Sequence, residues 1–181
     1  MRFFFTFLCG LFFLGAVAQQ KEYVSAFKNK QLINSQTTVI PEGFDFTIMH
    51  RFGKVALDDR LYKDFLGFDS PANIRFSLSY KLNDRAYIGV GRTKIGKTYD
   101  VEAKYVLLKQ TSDDSMPFSL AIFNNTGINT EESPNYGPNA FFSDSITPFE
   151  NKFAHRLSYT TELIVSRKFN DVLSLQISPT V

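Results

Sequence analysis

Two histidines, His50 and His155, and one cysteine, Cys9, are all that this 181-residue chain offers for imidazole or thiol chemistry. Each histidine falls on the apolar positions of an alternating run, beside Phe52 and Phe153 respectively. A structural metal site needs several N, S or carboxylate ligands brought together. These histidines sit on the first and sixth runs, with no cysteine at hand. They read as amphipathic rings at an interface, and no metal or cofactor is expected. Nucleophilic catalysis would need a serine within reach of His155, with a third group such as Asn124 to orient the ring. Ser119, Ser158 and Ser166 point to the opposite face, which leaves only Ser143 or Ser145 in a loop. A lipid hydrolase is therefore a remote alternative, and the chain is expected not to be an enzyme. The stretch "GVGRTKIGK" lacks the G-x-x-x-x-G-K-[ST] spacing and joins strands instead of opening a helix, so it is no phosphate loop.

The charged residues that recur in register are Arg75, Glu102, Lys104, Arg156 and Glu162. All occupy the polar positions of alternating runs, among Ser, Thr and Gly. Their chemistry is electrostatic: charges of both signs can line a wet lumen, whereas in lipid they would be costly. The formal net charge is +2, and the lysines and arginines are scattered, so a nucleic-acid partner is not expected.

The elements that must position these charges are strands, because the period beyond Gly43 is two. Phe44, Phe46, Ile48 and His50 oppose Asp45, Thr47 and Arg51. Ile74, Phe76, Leu78, Tyr80 and Leu82 oppose Arg75, Ser77, Ser79 and Lys81. Further runs cover 85–92, 100–109, 117–125, 153–169 and 172–181. Several approach the ~9–11 residues that a tilted membrane strand needs. The connections sort by side. The two-residue turns Asn83–Asp84 and Asn170–Asp171 share one end with 110–116, while 53–72, 93–99 (equal in length to 110–116) and 126–152 lie at the other. Membrane barrels show this asymmetry, and antiparallel sandwiches have no reason to. The expected fold is all-β, an antiparallel up-and-down transmembrane barrel with about seven strands present. A soluble exported barrel or sandwich, with its Phe-rich face turned inward on an apolar ligand, also alternates and stays open as the second reading.

Ahead of the strands, Arg2, an apolar run from Phe3 to Val17 and the small residues Ala16 and Ala18 read as a signal peptide cleaved after Ala18. Residues 19–43 are read as an N-terminal periplasmic segment and 44–181 as the barrel domain. The mature chain would contain no cysteine, which excludes a disulfide framework.

The phrases "FDFTIMHRFG", "VGRTKIGKTYDVEAKY" and "HRLSYTTELIVSRKFNDVLSLQISPT" together resemble an uncharacterised β-barrel family of Bacteroidota, a domain of unknown function assigned to the outer membrane. The resemblance runs from about Ala26 to the last residue. It implies fold and location but no substrate or catalytic residue. Family members continue with further strands beyond "SPTV", so the chain is expected to be an N-terminal fragment of a larger barrel. Outer-membrane lipid, the barrel-assembly machinery and a small polar solute are the partners this reading implies. The long loop containing Tyr136, Phe141 and Phe142 is the segment best placed to fold over a barrel mouth. Deleting 130–148 should change ligand or channel behaviour while leaving a heat-modifiable band in membrane extracts, and loss of that band would contradict the assignment.

Overall fold

The computed structural model describes residues 22–52, 60–63, 72–131 and 152–181. Residues 1–18, read as a signal peptide, lie with Cys9 outside the described residues, as do Tyr136, Phe141, Phe142, Ser143 and Ser145. Seven strands form one sheet: β1 (Phe44–Arg51), β2 (Asn73–Asn83), β3 (Ala86–Thr93), β4 (Tyr99–Leu108), β5 (Ser119–Ile128), β6 (Leu157–Lys168) and β7 (Ser174–Ile177). Each pairs antiparallel with the next in chain order, so the sheet is a meander.

The faces are inverted relative to a soluble sheet. Phe44 is 72% exposed and Ile177 73%, and Phe46, Ile48, Leu78, Val90, Val101 and Tyr105 are exposed between them. The opposite face buries Ser77, Ser79, Asp100, Glu102, Lys104, Ser119, Glu162 and Ser166. Water would not sustain an exposed apolar face that crosses all seven strands. Lipid would, provided the polar groups are satisfied within. The aromatic pairs Phe44–Tyr80 and Phe46–Phe76, with ring centroids at 4.7 and 6.3 Å, add cross-strand contact on the outer face. The reading that turns the Phe-rich face inward on an apolar ligand is thereby corrected, because that face points out.

The two Asn-Asp turns are built alike. In the first, Asn83 ends β2 and pairs with Ala86, so the turn itself is Asp84–Arg85, one residue later than the sequence suggests. Asn83 Oδ1 accepts from Arg85 N–H at 2.8 Å, and Lys81 Nζ meets Asp84 at 2.8 Å. In the second, Phe169 N–H donates to Leu173 C=O at 2.9 Å, and the turn spans residues 170–172. Asn170 Oδ1 accepts from Val172 N–H at 2.8 Å, and Lys168 Nζ meets Asp171 at 2.8 Å. An Asx bond and an i,i+3 ion pair therefore close each hairpin from a shared Lys-x-Asn-Asp sequence. The lysines hold the Asp84 and Asp171 carboxyls below the usual carboxylate range. Both turns, and the β4–β5 connection, lie at one end of the sheet, as the sorting of loops requires.

Two strand boundaries differ from the alternation. Residues 153–156 form a 3-10 turn, closed by His155 N–H to Lys152 C=O at 2.9 Å, and β6 begins only at Leu157. Over so few residues, alternation does not separate a 3-10 turn from a strand end. Regular β7 ends at Ile177, because Pro179 has no N–H for the ladder. Pairing resumes beyond it, with Thr161 N–H donating to Val181 C=O at 2.8 Å. A one-turn helix, Arg60–Lys63, interrupts the β1–β2 connection.

An inverted sheet makes opposite predictions for its two faces. Leu78→Arg, in mid-strand on the outer face, should cost about 2–4 kcal/mol in reversible denaturant unfolding from lipid vesicles. Unchanged stability would contradict a lipid-facing position.

Candidate functional site

The polar face is covered by the chain's own N-terminal segment. Residues 22–43 run along the sheet from the short-turn end, where Tyr23 bridges Thr111 and Val24 N–H donates to Gln110 C=O at 2.9 Å. They reverse at a tight hairpin, in which Gln31 pairs with Gln36 and Leu32 N–H donates to Ser35 C=O at 2.7 Å. They then return to Gly43 at the start of β1. A φ of +63° at Gly43 suits the kink into the strand. One short segment is bonded to side chains of β1, β2, β3, β4, β6 and β7. Only a sheet curled around it can reach it from both edges. The segment read as preceding the barrel thus lies in its hollow.

Irregular backbone at such depth requires a partner for each amide and carbonyl. The wall supplies them. Glu162 accepts the Gln36 N–H on both carboxylate oxygens, at 3.0 and 3.2 Å. Gln176 Nε2 donates to Gln36 C=O at 2.7 Å. Lys104 Nζ donates to the carbonyls of Lys30 at 2.9 Å and Val39 at 3.3 Å, and lies over the Tyr87 ring at 4.9 Å. Beneath the segment, Tyr87, Val106, Ala121, Phe123 and Ile164 form a small buried apolar cluster on which Ile40 packs. Tyr87 OH reaches Gln36 Oε1 at 3.2 Å.

The electrostatic centre is an ion network. Arg75 Nε donates to Asp100 Oδ2 at 3.0 Å, and its Nη2 to Asp100 Oδ1 and, at 2.8 Å, to Glu102 Oε2. Asn125 donates to Asp100 at 2.8 Å and Ser79 to Glu102 at 3.0 Å. From residues 22–43, the plug of the hollow, Lys30 Nζ reaches Asp45 Oδ2 at 2.6 Å and Ser79 Oγ at 2.7 Å, with Glu102 Oε1 at 3.9 Å. Arg75 stands on β2 and its carboxylates on β4, so its side chain must cross β3. Gly91 and Gly89 make the crossing possible. A Cβ on Gly91 would lie 2.5 Å from Arg75 Nη2, and one on Gly89 2.9 Å from Ser79 Oγ. These glycines are the floor of an ion trough.

Above the hairpin tip, an open cavity of ≈ 290 Å³ lies between the tip and polar walls that include Arg51, Arg75, Asn125, Ser158 and Thr160. The apolar tip residue Ile33 is 88% exposed there.

Arg75, Glu102, Lys104 and Glu162 stand on the inner face, as the alternation indicates, and the plug brings them into one network. Arg156 is the exception: it lies in the 3-10 turn ahead of β6, where alternation assigns no face. Asp100 shares the parity of Glu102 and was legible in principle. Lys30, Asp45, Ser79 and Gln176 were not singled out, because the segment that gives them meaning has no period. His50 ends up in β1 with its ring 4.6 Å from Phe52, and His155 Nδ1 accepts from Lys152 N–H at 3.2 Å. Asn124 Nδ2 bonds Thr161 Oγ1 at 3.0 Å. No cluster of potential metal ligands occurs among the described residues.

A buried ion pair whose partner is removed leaves an uncompensated charge. Arg75→Ala should therefore cost about 3–5 kcal/mol in denaturant unfolding. Gly91→Val, by pushing the guanidinium aside, should destabilise in the same direction. The double variant should fall short of the sum, and strict additivity would contradict the trough.

Neither a curated protein nor a solved structure matches the chain. A family does: residues 27–181 match the one described as a membrane bound beta barrel domain (DUF5777), from within the plug to the last residue. With its lipid-type outer face, charged inner face and meander topology, the chain belongs to this membrane-bound β-barrel family.

Proposed function

We propose that the chain is a non-enzymatic outer-membrane β-barrel protein whose lumen is a gated passage for a small polar solute, closed in this state by residues 22–43. The observation that carries the reading is the plug. It fills the hollow of the sheet, yet it is held mainly by polar contacts to wall side chains, which water or a solute can replace. A purely structural filling would be expected to resemble an apolar core, and here only Ile40 of the plug packs on the small buried apolar cluster. The outer-membrane address follows from the signal-type N-terminus, the lipid-type face and the sorting of short and long connections. In this reading the chain's partners are the lipid of that membrane and the barrel-assembly machinery that inserts it. The long connections lie on the outer side.

A role limited to carrying surface loops would need no polar latch inside the lumen. Planar-bilayer recording separates the two. The full chain should be closed for most of the time, whereas Lys30→Glu sets a carboxylate against Asp45 and Glu102. That substitution should raise open probability at least about tenfold, the equivalent of ~1.4 kcal/mol. An inserted variant that never conducts would overturn the passage and leave the scaffold.

A further inference from the structure

We propose that the seat now held by the Lys30 side chain is a subsite of the lumen wall for the primary ammonium group of a small organic cation. The inference rests on the gated-passage reading and gives its solute a chemical class. The Lys30 ammonium lies 2.6 Å from Asp45 Oδ2, 2.7 Å from Ser79 Oγ and 3.9 Å from Glu102 Oε1. Its nitrogen also stands 5.7 Å from the centroid of the Tyr87 ring. A carboxylate, a hydroxyl oxygen, a second carboxylate and an aromatic face are what an ammonium with three N–H donors and a short apolar stem requires. Bonds within the wall help to hold this set: Thr47 Oγ1 donates to Asp45 Oδ2 at 2.9 Å. Ser79 is fixed by its bond to Glu102, Glu102 by Arg75, and Tyr87 by the buried cluster behind it.

The same groups carry too much negative charge to stand empty. Asp45 and Glu102 face the seat; of the inner-face cations, Arg75 is engaged by Asp100 and Glu102, Lys104 by the carbonyls of Lys30 and Val39, and Lys81 by Glu42 and Asp84. Withdrawal of Lys30 leaves carboxylates that lack their cation in a partly buried site. The opening of the passage is therefore coupled to the arrival of another cation. A guanidinium already occupies the neighbouring trough. What is vacated is shaped for a compact ammonium, entered along the path of an alkyl stem. Two residues along β2, Ser77 Oγ is buried and has no hydrogen-bond partner in the structure, so the wall holds a further hydroxyl for a ligand that extends beyond its ammonium.

Chemical rescue tests this without reference to conductance, so its failure is distinguishable from failure of the passage. Lys30→Ala in the full chain removes the equivalent of n-propylammonium. In detergent micelles, added n-propylammonium should raise the thermal midpoint of the variant by about 2–4 °C in a saturable manner. The wild type should not respond. Tetramethylammonium and sodium at equal ionic strength should have no such effect, because they bring no N–H donors. Adding Asp45→Asn to the variant should abolish the response. If Lys30→Ala folds poorly, its refolding yield becomes the readout and should be restored by n-propylammonium alone. Equal responses to all three cations, or none, would overturn the subsite.

Discussion

Backbone amides and carbonyls in the hollow of this barrel need partners, and that need governs most of what surrounds them. A lipid-facing sheet satisfies its own backbone through the ladder. The plug, whose own pairing is limited to the hairpin at its tip, does so only in part. Glu162, Lys104 and Gln176 are therefore placed where the plug's peptide groups fall, each a long side chain able to stand in for a neighbouring strand. Glu162 and Lys104 are buried and bonded to the plug, whereas Gln176 is half-buried and uses only its Nε2, its Oε1 having no partner among the described residues. The wall and the plug are in this sense one hydrogen-bonded system, and neither is at rest without the other.

The ion network follows from the same economy of partners. Asp100 and Glu102 on β4 need a cation, and the strand between them and Arg75 would ordinarily block it. Glycine at two consecutive inner positions of β3 lowers that strand's surface to the level of its backbone. One residue type that contributes no contacts thereby permits the strongest contacts in the lumen. Lys30 then completes the charge arrangement from the plug side.

The period-two alternation was enough to read the meander, the inner face and four of the five lumen charges, because a strand's geometry repeats every two residues and lipid enforces it. Where the period is short or missing, the sequence was silent. The 3-10 turn at 153–156 spans too few residues to break an alternation, so the sequence does not show that Arg156 precedes the regular strand. Pro179 interrupts β7 through a missing donor that hydrophobic pattern does not record. The turn at Asn83 is displaced by one residue, because its asparagine side chain bonds forward to Arg85 N–H. Above all, residues 22–43 carry no period, and their place in the hollow is set by partners scattered over the whole sheet. Nothing local in the stretch from Lys28 to Thr38 announces that Lys30 is buried.

The reach of those partners also orders the molecule's assembly. The Lys-x-Asn-Asp hairpins close within a few residues, but Gln176 meets Gln36 across 140 positions of the chain. Contacts that distant form late, after the loops between them have closed. Although the plug precedes every strand, it has nowhere to settle until β4, β6 and β7 are in place. The segment made first thus has its partners on strands that are made last. Undocking of the segment around Lys30 and Gln36 breaks bonds to wall side chains and requires no strand to separate from its neighbour.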